Sequence, residues 1–240
     1  MQIEGKRVLI SGASRGLGRA LVDAFVQAGA AEVLAGTRKP EDREQLKAER
    51  VTPVQLEVRS DEDVDAVAKM GPIDILINNA GVAGYGNPLT MDFAAAEEEM
   101  AVNYLGVLRL TRAVAPGMIA MHEGVIVNVA TAFSKVNLPI VGTYCATKAA
   151  LLSLGQALRA YLADDGIRVI TVMPTTIDTD MSRGAEVPKM TREFVADEIL
   201  AAIRDERHDQ PIGDEAKGVV DGLLKDPLAV EKMLMNYKAR

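Results

Sequence analysis

The sequence predicts one doubly wound α/β domain, a mostly parallel sheet of six to seven strands with helices on both faces. Three observations point there. Short runs of Val, Ile and Leu recur along the chain, segments with helical apolar spacing lie between them, and the two kinds alternate strictly as far as Met173. Parallel neighbours need crossover connections, so such alternation reads as a parallel sheet. The 240 residues, 48% hydrophobic and 25% charged, suffice to bury one large core and exclude a disordered or fibrous chain. One domain over residues 1–240 is expected, without repeat, low-complexity tract or linker.

Strands are expected at Val8–Ile10, Val33–Ala35, Val54–Leu56, Ile73–Ile77, Val125–Val129 and Val169–Met173, all apolar enough to be buried on both faces. Helices are expected from Gly16 to Ala28, Pro40 to Glu49, Asp61 to Met70, Phe93 to Met121 and Thr143 to Asp164. The acidic run Asp61-Glu62-Asp63 suits the positive end of a helix, and Gly29, Gly71 and Gly166 sit where helices stop. From Pro174 to about residue 190 the pattern loosens into a polar, variable loop. A helix from Thr191 to Arg204 and a seventh, edge strand within His208–Gly213 follow. In the tail, residues 216–237, Val219, Val220, Leu223, Leu224, Leu228, Met233 and Leu234 recur at helical intervals, interrupted by Pro227. An amphipathic tail packed on its own domain is the plainer reading; a lid or partner-binding tail is the other.

Lys and Arg number 27 against 34 Asp and Glu, a net charge of −7 that disfavours nucleic acid as a partner. Cys145 is the only cysteine, so no intrachain disulfide can form. Met1–Arg7 lacks the apolar run of a secretory signal, and no stretch reaches the roughly 18 apolar residues of a membrane span. A cytoplasmic protein is expected, with no membrane association and no metal site.

The first strand runs into Ser11-Gly12-Ala13-Ser14-Arg15-Gly16-Leu17-Gly18 and then a helix. Glycines permit positive φ and close backbone approach, and the helix start offers free N–H groups to a pyrophosphate. Three glycines in seven residues also make an ordinary tight turn; the place after the first strand of an alternating fold favours a dinucleotide. The second strand ends Gly36-Thr37-Arg38, without the carboxylate that would hold the ribose 2′-hydroxyl of NAD. Arg15 and Arg38 could pair with the 2′-phosphate of NADP, with Thr37 donating a hydrogen bond. Two solvated arginines are the plain alternative.

Tyr144 and Lys148, four apart at the start of a helix, share one face. An ammonium beside a phenol favours phenolate and so lowers a pKa otherwise near 10, which makes the pair a tunable acid/base. With the glycine turn, Asn78-Asn79-Ala80-Gly81 after the fourth strand and Asn103 in the long helix, the sequence resembles the short-chain dehydrogenase/reductase family from Lys6 to about Met181. The resemblance implies a Rossmann domain binding NADP(H), with Gly12, Ser14, Arg15, Gly16, Leu17 and Gly18 as the cofactor turn. It places Asn78, Asn79, Ala80 and Gly81 beside the adenosine ribose and Tyr144 as proton donor to a carbonyl. Lys148 is then on the nicotinamide ribose, and Asn103 keeps a water in a proton relay. Pro174, Ile177 and Thr179 belong to the segment at the nicotinamide carboxamide.

Three departures from the family pattern stand out. The catalytic serine position, thirteen residues before the tyrosine, is Thr131, which is favoured over Ser134 as the catalytic hydroxyl. Pro174-Thr175 replaces Pro-Gly, and Glu57-Val58 replaces Asp-Val at the adenine.

The leading expectation is an NADPH-dependent reductase of a ketone or aldehyde, reversibly an alcohol dehydrogenase. A catalytically silent NADP-binding sensor is the alternative, but it would need none of Tyr144, Lys148, Asn103 and Thr131. The dehalogenase offshoot of the fold would replace the Lys by Arg and spoil the turn. Tyr85, Phe133, Leu138, Ile140 and Met181 are candidates for an apolar substrate wall. A homodimer or homotetramer is expected on the two long helices, where Ala146, Ala149, Ala150, Ser153 and Gly155 would allow close packing.

Overall fold

The structure, a computed structural model, describes residues 1–237. Among the described residues seven strands form one sheet: β1 (Arg7–Ser11), β2 (Glu32–Thr37), β3 (Val51–Gln55), β4 (Ile75–Asn78), β5 (Gly124–Val129), β6 (Ile167–Pro174) and β7 (Asp209–Ile212). Their order is β3-β2-β1-β4-β5-β6-β7, and every pairing is parallel. The connecting helices are α1 (Gly16–Gln27), α2 (Pro40–Leu46), α3 (Asp61–Ala68), α4 (Phe93–Met100), α5 (Val107–Met121), α6 (Gly142–Leu162) and α7 (Arg192–Arg204).

Successive strand residues point to opposite faces, so each strand feeds two cores. Val8 and Ile10 of β1 join Leu21 and Phe25 of α1 and Ile199 and Ile203 of α7 in one apolar cluster. Leu9 joins Val64 of α3 and Leu110 and Met118 of α5 in the other. The chain reverses its direction of travel across the sheet between β1 and β4. In open sheets of this kind ligands bind beyond the carboxyl ends of the strands at that point.

Three expectations are revised. β3 is an edge strand, with Thr52 and Pro53 half-buried and Gln55 exposed, because nothing pairs beyond it. Pro53 suits an edge, where a missing N–H costs least. The single long helix from Phe93 is α4 and α5 joined by a π-helical turn, Ala101–Gly106, and α5 carries Pro116 within it. Gly155 faces the sheet rather than the outer face of α6: a Cβ there would lie 2.6 Å from Thr171 Oγ1.

Thr171 belongs to a polar row in register across three central strands, Asn78, Asn128 and Thr171, all buried. Asn78 Nδ2 donates to Asn128 Oδ1 (2.9 Å) and to Thr111 Oγ1 (3.2 Å). The tail forms α8 (Asp214–Lys225) and α9 (Pro227–Leu234), with Pro227 in the first turn of α9 and Asp226 Oδ1 capping Ala229 N–H. Its apolar side, Val219, Val230 and Leu234, packs on Ala132, Phe133, Val136 and Leu138 of the same chain.

Candidate active site

Ser11, Asn78, Val129 and Pro174 end their strands at one edge of the sheet, and the residues after them build the site. Ser11 Oγ accepts the N–H groups of Asn79 and Ala80, both at 3.1 Å, while the Asn79 amide donates to the carbonyls of Ser11 (3.0 Å) and Gly12 (3.1 Å). These bonds fasten the glycine turn to the end of β4. Gly12 has φ +67°, and a Cβ there would stand 2.9 Å from Ala80 Cα. A Cβ on Gly18 would collide with the Gly12 carbonyl. Only glycine fits either position.

Gly16 packs on the Thr179 methyl, Leu17 is buried in the first turn of α1 and Ser14 is half-buried. Arg15, largely exposed, lies 3.4 Å from Asp180. Among the described residues no side chain caps α1, and its first turn has no acidic residue, so the helix start keeps its N–H groups and positive dipole end for an anion.

At the end of β2 the expectation that no carboxylate is available needs correcting. Thr37 Oγ1 donates to Asp42 of α2 at 3.3 Å, and Arg38 lies 3.7 Å from Glu57. The sequence distance of Asp42 hid it, because α2 folds back over the strand end. Arg59 also holds Glu57, at 3.2 Å. Burial opposes charge on Glu57, but Arg59 and Arg38 outweigh it and keep the carboxyl below its usual range. Glu57 N–H donates to Asp63 (2.7 Å), and Val58 is buried against Gly106.

Tyr144 and Lys148 occupy the first turns of α6. Lys148, 4% exposed, donates from Nζ to the Val129 carbonyl at 2.8 Å and lies 5.7 Å from the centroid of the Tyr144 ring. The electrostatics differ from expectation: burial pushes the Tyr144 phenol up rather than down, and burial pushes the Lys148 ammonium down to about 8. Desolvation disfavours the charged form of each group, and Cys145, Tyr85 and Glu99 push the phenol further the same way. Ala80 and Gly81 stand between this pair and the glycine turn; a Cβ on Gly81 would be 3.6 Å from Lys148 Nζ and 3.2 Å from Asn103 Oδ1.

Asn103, fully buried in the π-helical turn, uses its amide on protein partners. Nδ2 donates to the Val82 carbonyl (2.8 Å) and Thr147 Oγ1 (3.0 Å), and Oδ1 accepts Val82 N–H (2.9 Å). Its side chain therefore clamps the loop that follows β4. Thr131, 4% exposed, donates to the Pro174 carbonyl at 2.9 Å and accepts Phe133 N–H at 3.3 Å. Ser134 Oγ accepts Thr131 N–H. Ile177 accepts from Ser182 Oγ (2.6 Å), which helps shape the turn holding Thr179.

Of the expected apolar wall, Phe133 and Leu138 pack on the tail, because the tail covers the segment after Thr131. Tyr85 and Met181 do meet, with Tyr85 Oη donating to the Met181 carbonyl at 2.9 Å. A cavity of about 520 Å³ beside Pro88, Pro139, Thr143 and Ala146 is lined by none of Tyr144, Lys148 or Thr131. Ser11, Asp42 and Glu99 escaped sequence reasoning. For Glu99 the available signal was a carboxylate one helical turn before Asn103.

The family profile described as short chain dehydrogenase matches residues 6–189. D-erythrulose reductase of Gallus gallus is 38% identical over 187 residues, 76% of either chain. L-xylulose reductase of Bos taurus is 33% identical over 93% of this chain and 89% of its own. A longer relative from Anopheles gambiae, dehydrogenase/reductase SDR family protein 7-like, is 34% identical over 76% of this chain and 62% of its own. Among solved structures, a short chain dehydrogenase from Burkholderia cenocepacia in complex with NADP superposes with a TM-score of 0.94 at 38% identity, covering 98% of this chain and 99% of that one.

Proposed function

The chain belongs to the short-chain dehydrogenase/reductase family of oxidoreductases, and from that premise we propose that it is an NADPH-dependent reductase of small ketones or aldehydes, working through Tyr144. The observation that carries this reading is the convergence of Tyr144, Lys148, Asn103 and Thr131 beside a glycine turn that no Cβ could enter.

The residues present fit a dinucleotide. The turn from Gly12 to Gly18 and the uncapped start of α1 would take the pyrophosphate, and Lys148 the nicotinamide ribose. Arg38 and Arg15 would take a 2′-phosphate, since both guanidiniums are exposed and their present carboxylate contacts are long, at 3.7 and 3.4 Å. A dianion competes well for such guanidiniums. The NADP bound by the Burkholderia cenocepacia relative supports that choice. When bound, the cofactor supplies the hydride.

The chain's own contribution is proton transfer and orientation. A phenol kept protonated by burial is a competent donor to a developing alkoxide, and Thr131 supplies a second hydroxyl at the same edge. Lys148, fixed on the Val129 carbonyl, holds a cation near the phenol to offset the charge left when it gives up its proton. The relatives' names support short polyhydroxy ketones as the first substrates to test.

The test is NADPH oxidation over a panel including D-erythrulose, L-xylulose and apolar ketones, with NADH in parallel. NADPH should exceed NADH in kcat/KM by tenfold or more, from one charge-assisted contact worth about 1.5–3 kcal/mol. Tyr144→Phe should abolish turnover while leaving NADPH binding in place. NADPH binding with no turnover on any substrate would favour a sensor instead. Equal use of NADH would refute the role of Arg38, and an active Tyr144→Phe the role of the phenol.

A further inference from the structure

Glu99 is an unusual residue to find where it lies. It is 1% exposed in the last turn of α4, its Oε1 accepts Gly84 N–H, and its buried Oε2 has no hydrogen-bond partner among the described residues. A buried carboxylate with one partner costs stability. Its place suggests what it contributes. Asn103, four residues on, binds the same loop at Val82 through both its N–H and its carbonyl. The two side chains, one helical turn apart, therefore grip the loop at two points two residues apart.

The loop continues into Tyr85, whose hydroxyl reaches Met181, and Gly86, whose N–H donates to the Ile140 carbonyl at 2.9 Å. Tyr85 thus bridges from the β4 loop to the turn Asp180–Ser182 after β6, across the edge where Tyr144 and Thr131 lie. Gly84 is matched to the grip: a Cβ there would stand 3.2 Å from Glu99 Oε1 and 3.2 Å from the Met91 methyl.

We propose that Glu99 is a positioning residue for the carbonyl substrate, clamping Gly84 so that Tyr85 and Met181 form a fixed wall of the substrate site. This rests on the reductase reading. Glu99 touches no reacting atom in this scheme. It acts through the backbone of Gly84, and what it sets is the fit of the substrate beside Tyr144.

The test uses the full chain with Glu99→Ala, Glu99→Gln, Gly84→Ala and the double variant Glu99→Ala/Gly84→Ala, assayed on D-erythrulose or the best carbonyl of the panel. Loss of the hydrogen bond to Gly84 N–H should raise KM for the carbonyl about tenfold in Glu99→Ala, with NADPH affinity unchanged. Gly84→Ala, which spreads the same contact from the other side, should do likewise, and the double variant should be no worse than the poorer single one. Glu99→Gln keeps an oxygen acceptor for Gly84 N–H, so it should hold KM near the parent value. Hydrogen exchange at Gly84 should rise in Glu99→Ala and not in Glu99→Gln.

An unchanged KM in Glu99→Ala, or a Glu99→Gln as impaired as Glu99→Ala, overturns the proposal. If Glu99→Ala does not fold, Gly84→Ala with the parent KM or Glu99→Gln with a raised one does the same. The parent enzyme separates the two levels: if it oxidises NADPH with no carbonyl of the panel, the reductase reading fails whatever Glu99 does. If it turns over and KM ignores Glu99 and Gly84, the clamp alone fails.

Discussion

Thr131 occupies the position where a catalytic hydroxyl is expected, yet its hydroxyl bonds the Pro174 carbonyl and caps the short turn Ala132–Ser134. To serve a substrate oxygen it turns its O–H about the Cβ–Oγ bond away from Pro174, while the branched Cβ keeps Oγ1 itself in place. Thr131→Val keeps the shape and deletes the hydroxyl. Turnover should fall by about 10²–10³, the usual loss for one preorganised donor, and Thr131→Ser should stay active. Ser134→Ala removes the acceptor of Thr131 N–H, so it should cost about 1–3 kcal/mol of stability with turnover close to the parent. An active Thr131→Val with an inactive Ser134→Ala, read from kcat and thermal melts together, would move the catalytic hydroxyl to Ser134. At this scale the sequence made Tyr144 and Lys148 visible, because an i, i+4 spacing survives folding unchanged. The direction of their electrostatics was not visible, since it depends on burial contributed by β5, the β4 loop and α4.

Helix α6 shows how an element can be half legible. Its length and register were plain from apolar spacing, but which small residues faced outward was not. Ala146, Ala149 and Ser153 are exposed, whereas Gly155 lies over the polar row of Asn128 and Thr171. Two effects oppose each other at Gly155. Replacing a mid-helix glycine by alanine gains about 0.5–1 kcal/mol of backbone entropy, while overpacking a tight site costs about 1–3 kcal/mol. The new methyl would stand 2.6 Å from Thr171 Oγ1 in a rigid strand, so the cost wins and Gly155→Ala should lower Tm. A variant more stable than the parent in calorimetry would mean that α6 can lift off the sheet freely. The π-helical turn at Asn103 was missed for a related reason: one extra residue in a helical turn leaves the apolar period almost intact.

The whole molecule was legible in its alternation and its glycines. Six apolar runs and the turn at Gly12 implied the parallel sheet, and the edge strands were the uncertain part because their burial depends on having a neighbour. The tail's seat and the reach of Asp42 and Glu99 were invisible, being contacts between segments with no shared pattern. Assembly remains a proposal. The outer face of α6 is small and exposed, with Tyr161 84% exposed, and Leu105 of the π-helical turn is 45% exposed. A homodimer or homotetramer built there should elute from a size-exclusion column well above 25.7 kDa, and a monomer at every concentration would remove the idea. The seat of the tail on Ala132, Phe133 and Leu138 has a temporal consequence. A ribosome delivers Val219, Val230 and Leu234 after every residue of the two sheet cores. The segment following Thr131 is thus the last part of the site to gain its support, long after the glycine turn has left the exit tunnel.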